Sequence, residues 1–114
     1  MSARFVLERA PDGGFSFIFI THSGQVLLTS PAYPDRDRAL SRISAARHMA
    51  RNRQNYEIVT GANGYSFLVR GKHGDVLGRS ESFPDFASLE AGINLVRANA
   101  KGARLEDLTP VPAP

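Results

Sequence analysis

The chain has 114 residues, of which 42% are hydrophobic, and its formal net charge is +3. This length and composition predict one folded domain rather than two, and they argue against disorder. There is no cysteine, which excludes a disulfide framework, a thiol nucleophile and a zinc-thiolate site. Since no stretch has the hydropathy of a signal peptide or a membrane span, we expect a cytoplasmic protein without membrane association.

The first residues of the chain read as a meander of short strands. Strand-forming residues occupy Arg4–Arg9 and Phe15–Ile20, and Asp12-Gly13 between them is a strong hairpin signal. A second glycine turn leads to a third strand candidate, Val26–Thr29. The pattern predicts three antiparallel strands.

A helix is predicted directly after this meander. Pro34 ends the extended chain, and the carboxylate of Asp35 can cap the first free amides of a helix. Asn52 is a plausible signal for its end. Apolar residues then recur at a helical spacing: Ala39, Leu40, Ile43, Ala46 and Ala50.

Residues 65–102 repeat the pattern of residues 15–52 at an offset of 50, as in Ser66 and Ser16, and the segment before them matches once one residue is dropped at the turn. The repeat predicts strands at Tyr56–Thr60, Tyr65–Arg70 and Val76–Arg79. A second helix begins after its Asp85 cap and closes near Gly102. Its predicted apolar stripe contains Phe86, Leu89, Ile93, Val96 and Ala100.

We therefore predict an α+β fold, a tandem duplication of a βββα unit. Repeat one covers 4–53, repeat two covers 55–103, and together they form a single domain over 1–108. One unit alone has too little core to be stable, so the copies should join into one antiparallel-rich sheet with two helices on one face. The proline-rich residues 109–114 are predicted to form a flexible tail.

The repeated motif resembles the YegP-like family of small bacterial proteins of unassigned function. It reads aromatic-x-Phe, then Gly-x-Val-Leu-x-x-Ser, then a helix with an arginine and an alanine at fixed spacing. The resemblance covers roughly 5–103 and implies a paired βββα repeat. The chain departs from the family pattern at Ser23, His73 and Pro31. The resemblance brings no catalytic residue.

An enzyme active site is not predicted. Ser30 and Ser80 repeat at the ends of the third strands, but a nucleophile needs a base within hydrogen-bond reach, and no histidine repeats with them. His22, His48 and His73 lack the spacing of a metal site. We interpret the serines as structural, and we expect no cofactor.

Two equivalent arginines border the apolar stripes of their helices. Arg47 and Arg97 can lay their stems over the core or pair with an acid of the other repeat, and Glu81 is the candidate partner. Alternatively, the two arginines bind an anion.

The first helix is rich in arginine, with six between Arg36 and Arg53. The flank formed by Arg38, Arg42 and Arg53 suits phosphate contacts, so nucleic-acid or phosphate-ligand binding is an alternative function. The second helix does not repeat this charge, and aromatic residues are not interleaved with it as a single-strand binder would need. A solvated helix face is the competing interpretation.

The outer sheet face is the remaining candidate. Ile18, Ile20 and Leu68 point away from the helices by strand alternation, and an open apolar face indicates a homodimer or a protein partner. Alternatively, the tail or the segment Leu105–Leu108 covers this face. The leading functional hypothesis is a non-enzymatic module that acts through protein association.

Overall fold

A computed structural model describes residues 3–109 of the chain. Within these residues a short 3-10 helix, Arg53–Asn55, precedes the fourth strand. The predicted strand positions are confirmed to within a residue. The strands are β1 (Arg4–Arg9), β2 (Phe15–Ile20), β3 (Val26–Thr29), β4 (Tyr56–Gly61), β5 (Gly64–Arg70), β6 (Val76–Arg79) and β7 (Arg104–Asp107), and the helices are α1 (Arg36–Met49) and α2 (Phe86–Asn99).

The described strands form one mixed sheet in the order β4-β5-β6-β3-β2-β1-β7. Neighbouring strands are antiparallel except β7, which runs parallel to β1. At the centre, β3 and β6 meet at the pair Thr29 and Arg79. The α+β class and the antiparallel-rich sheet are confirmed. The strand β7 is an addition that the sequence analysis does not predict.

Both helices pack on one face of this sheet, where the core lies. Phe5, Phe17, Phe19 and Phe67 are fully buried there. The Phe5 and Phe19 rings meet edge to face with centroids 5.0 Å apart, an arrangement that the ring quadrupoles favour. The alternation of the strands therefore leaves the opposite face, called the outer face below, without helices.

The helices begin where the sequence predicts. Oδ1 of Asp35 accepts from the Arg38 amide at 2.7 Å, and Oδ1 of Asp85 accepts from the Ser88 amide at the same distance. Both helices end earlier than predicted, with Ala50 and Ala100 as their last capping residues. After α1, Asn52 instead caps the 3-10 helix by accepting from the Gln54 amide.

One member of the predicted apolar stripe of α2 lies outside the core. Phe86, the first residue of the helix, is 50% exposed, and its ring packs edge to face with that of Tyr65, with centroids 6.1 Å apart. The other four stripe residues are buried: Leu89, Ile93, Val96 and Ala100.

The end of the described chain is anchored to the fold. Thr109 is buried, and its amide and hydroxyl both donate to Asp107. The remainder of the predicted tail, residues 110–114, lies outside the described residues.

Candidate association surface

A continuous row of side chains crosses the outer face from one edge of the sheet to the other. The strand registers place one residue of each described strand in this row. We call it the outer row; in spatial order it contains Glu57, Leu68, Arg79, Thr29, Ile18, Val6 and Glu106. The row thus has a polar centre, an apolar stretch on each side and an acid at each end.

The acid at each end of the outer row forms an ion pair with an arginine. Nε of Arg70 lies 2.7 Å from Oε1 of Glu57, and Nε of Arg4 lies 2.8 Å from Oε1 of Glu106. Because these pairs are largely exposed, each contributes little to stability. They give the apolar part of the face a charged border, as a polar rim surrounds the core of a protein interface.

The three residues predicted for the association face all lie on the outer face, but they differ in exposure. Ile18 and Ile20 are partly exposed, whereas Leu68 is only 4% exposed. The segment Arg104–Asp107 does not lie across this face; it extends the sheet beside β1. Among residues 3–109, Ile18 and Ile20 therefore stay accessible and Leu68 does so only slightly; the alternative that the tail covers this face concerns residues 110–114, outside the described part of the chain.

A groove of about 420 Å³ lies where β3 and β6 meet. Its polar lining includes Arg79 and Glu81, two exposed residues of opposite charge. Among residues 3–109, neither has an ion-pair partner. The remaining lining residues are Thr29, Ser30, Pro31, Val76 and Ser80.

The two serines of this groove are bound to the backbone, as predicted. The Ser30 hydroxyl accepts from the Phe17 amide at 2.8 Å and donates to the carbonyl of Pro31 at 2.8 Å. Ser80 does the same between the Phe67 amide, at 2.9 Å, and the carbonyl of Glu81. Both hydroxyls are thereby engaged in holding the strand ends in place.

The predicted arginine flank of α1 is paired with acids. Arg38 lies 3.5 Å from Asp35, Arg42 lies 3.3 Å from Asp75, and Arg53 lies 2.8 Å from Glu90. Arg53 lies beyond α1, in the 3-10 helix, and Arg36 at the start of α1 pairs with Asp107. These pairs lower the positive potential that the sequence analysis assigns to the helix.

Arg47 and Arg97 do not bind Glu81, so the predicted pairing is wrong for both. The Arg47 guanidinium donates to the carbonyls of Ala100, Lys101 and Ala103. Ala100 is the C-cap residue of α2, where the partial negative charge of the helix end favours a cation, and the other two carbonyls lie beyond the helix. Arg97 is exposed and reaches the carbonyl of Arg51 at 3.5 Å.

Hydrogen bonds and burial shift the pKa of two groups near the sheet edges. The Arg36 hydrogen bond, together with donors from Thr109, lowers the pKa of Asp107. Burial raises the pKa of Tyr56 above that of a free phenol, and its hydroxyl donates to the Ala50 carbonyl at 2.7 Å. Asp107 holds Thr109 at the end of the edge strand β7, and Tyr56 of the edge strand β4 holds the carbonyl of Ala50.

Arg79 is the site residue that the sequence analysis misses. The register explains its position: Gly78 pairs with the buried Val69 on the core side, so the next residue, Arg79, lies on the outer face beside Leu68. Between residues 3 and 109 there is no cluster of three His, Asp or Glu residues that could hold a metal ion. In the same range, no helix has the length and hydropathy needed to cross a bilayer.

These features define a small α+β protein with an open sheet face. No protein-family model matches the chain. The UPF0339 protein PA0329 of Pseudomonas aeruginosa is 32% identical over 108 residues, which cover 94% of this chain and 98% of that protein. The chain belongs to the UPF0339 family.

Solved structures agree with this assignment. The solution structure of yegP from E. coli, a protein of unknown function, is 27% identical with a TM-score of 0.89, covering 98% of this chain and 97% of that one. The predicted resemblance to YegP-like proteins is confirmed. The UPF0339 protein SO3888 from Shewanella oneidensis, 24% identical with a TM-score of 0.88, shares the fold over 95% of this chain and 92% of its own.

Proposed function

We propose that the protein is a non-enzymatic association module whose outer face binds a second copy of the same chain. The observation that carries this proposal is the pair of oppositely charged, unpartnered residues in the central groove, Arg79 and Glu81. They stand two residues apart at the end of β6 and share one groove.

A two-fold axis explains why both charges lie together. In a symmetric dimer the same patch faces itself, so that residue i of one copy meets residue j of the other, and j meets i. An axis between Arg79 and Glu81 places Arg79 of each copy opposite Glu81 of the other copy, so that two ion pairs form. The partly exposed Ile18 and Ile20 then lose their contact with water.

The alternative, nucleic-acid or phosphate binding by α1, has less support. A phosphate must compete with Asp35, Asp75 and Glu90 for Arg38, Arg42 and Arg53. Salt-dependent affinity for nucleic acid scales with the number of cations that neutralise phosphates. Internal pairing reduces that number on this helix.

Sedimentation equilibrium over about a hundredfold range of protein concentration tests the proposal, because dimer formation follows mass action. We expect a concentration-dependent dimer. Arg79→Glu and Glu81→Arg should each weaken it, and the double exchange Arg79→Glu with Glu81→Arg should restore it. Ile18→Glu should abolish the dimer.

The control variant is Arg38→Glu, which alters charge on the helix face away from the groove and should leave the dimer unchanged. A monomer at every concentration would overturn the proposal. A dimer whose dissociation constant does not change in the Arg79→Glu and Glu81→Arg variants would also overturn it.

A further inference from the structure

The two edges of the sheet differ in how well they are protected. Edge strands expose unpaired backbone groups, and proteins shield them with short strands and charged side chains. The edge strand β7 follows this rule, since its four residues, RLED, include three charged ones. The opposite edge, β4, has six residues with the β-branched run Ile58, Val59 and Thr60 at its centre.

Comparison of β1 with β4 shows the effect of a neighbouring strand, because β1 is paired with β7 and β4 is an edge strand. In β1, Leu7 pairs with Phe17; in β4, Ile58 pairs with the corresponding Phe67. Leu7 is fully buried, whereas Ile58 is partly exposed. The two positions have the same register, but β1 has β7 as a second neighbour and contacts α1, whereas β4 is the last strand of the sheet.

The contacts of β7 show which backbone and side-chain groups hold a strand against β1. Its backbone is held by the Arg104 amide, which donates to the Ala3 carbonyl at 3.2 Å, and by the Leu108 amide, which donates to the Leu7 carbonyl at 2.9 Å. Its two acids, Glu106 and Asp107, pair with Arg4 and Arg36.

Neither of those cations has a counterpart at the β4 edge. The residue before β4, where β1 has Arg4, is Asn55, and the first residue of α2, where α1 has Arg36, is Phe86. Phe86 is 50% exposed. A strand that complements this edge is therefore neutral at the two positions where β7 is acidic, with an apolar side chain facing Phe86.

We propose that the β4 edge binds an extended, neutral and apolar segment of a partner protein, which adds to the sheet parallel to β4 as β7 adds to β1. Main-chain hydrogen bonds give such strand addition its affinity, and side-chain pockets give it specificity. The acidic β7 of another copy does not match this edge, because Asp107 would face Phe86. The site is separate from the central groove.

Two synthetic peptides test the proposal by NMR titration of the isotope-labelled full chain. One has the native sequence of residues 103–109; the other carries Glu106→Thr and Asp107→Leu. We expect the substituted peptide to bind about tenfold more tightly, since one apolar side chain gains its contact with Phe86. Shift changes and slowed amide exchange should centre on Tyr56–Gly61.

The variant Phe86→Arg supplies the matched control. It restores at this edge the cation that α1 has at Arg36, so the preference should reverse in favour of the native, acidic peptide. Equal binding of both peptides, or shift changes confined to the outer face, would overturn the proposal. Concentration-dependent changes at Tyr56–Gly61 without peptide would also overturn it, by showing that a second copy occupies the edge.

Discussion

The guanidinium of Arg47 lies over the ring of Phe5, with its central carbon 5.1 Å from the ring centroid. The same group donates to the carbonyls that follow α2, including that of Ala103. One side chain of the first half of the chain thus joins the aromatic core, the end of α2 and the segment that leads into β7.

Arg47→Lys should therefore destabilise the protein although the charge is kept. A lysine cannot reproduce the planar fork of donors, and its contact with the ring is weaker. We expect a loss of about 1–3 kcal/mol in the free energy of unfolding, measured by urea denaturation. Arg38→Lys, at an exposed surface pair, is the control and should change it by less than about 0.5 kcal/mol. Equal effects of the two changes would contradict the role of Arg47.

Ser30→Ala and Ser80→Ala should destabilise the fold to a similar extent. Each removes a hydroxyl that bridges a strand amide and a carbonyl, and each leaves the buried amide of Phe17 or Phe67 without that acceptor. The expected cost is about 1–3 kcal/mol per substitution, read from thermal or urea unfolding. Ser44→Ala on the exposed side of α1 is the matched control. A cost confined to one of the two serines would show that the bridges are not equivalent.

Asp107 should make the stability of the protein depend on acid pH. Its folded-state pKa lies below the ordinary value because Arg36 and Thr109 donate to the carboxylate. The contribution of such a group is present above the unfolded-state pKa and is lost as pH falls through the folded-state pKa. Asp107→Asn should thus be less stable than the parent at neutral pH, and the gap should narrow below about pH 4.

Denaturant unfolding at a series of pH values measures this narrowing. The control is Glu8→Gln, which changes an acid on β1 rather than on β7 and should give a stability curve parallel to that of the parent protein. A constant gap between Asp107→Asn and the parent at all pH values would contradict the assigned ion pair.

We further expect residues 1–108 to unfold as a single domain. Helix α1 contacts β5 and β6 as well as β1 and β2, so neither half of the chain buries its core alone. Calorimetry should give one transition with equal calorimetric and van't Hoff enthalpies. Leu28→Ala in the first half and Leu77→Ala in the second half should each lower the midpoint temperature of this single transition. Two resolved transitions would contradict this expectation.

Much of the fold is predictable from the sequence, because local signals and the repeated pattern agree. Aspartates stand at both helix caps, Asp-Gly and Asn-Gly stand at the hairpins, and alternating aromatics mark β2 and β5. The strand β7 has no such signal, since RLED is short, charged and without alternation. Its pairing with β1 depends on residues about a hundred positions earlier, and no local pattern carries that information.

The candidate site is predictable only in part. Strand alternation places Ile18, Ile20 and Leu68 on the outer face, but it does not show that Leu68 is buried there while the two isoleucines are partly exposed. The partners of the α1 arginines come from distant segments, as with Asp75 for Arg42 and Glu90 for Arg53. The number of these charged residues is visible in the sequence, but the fold determines which of them form ion pairs.

The parallel pairing of β1 with β7 also has a consequence for how the chain is made. Arg4 is synthesised about a hundred residues before its partner Glu106, an interval of roughly 5–20 s at ordinary rates of translation. During that time β1 is an open edge strand of the nascent chain. The edge of β1 therefore stays unpaired until the residues of β7 have been made and can cover it.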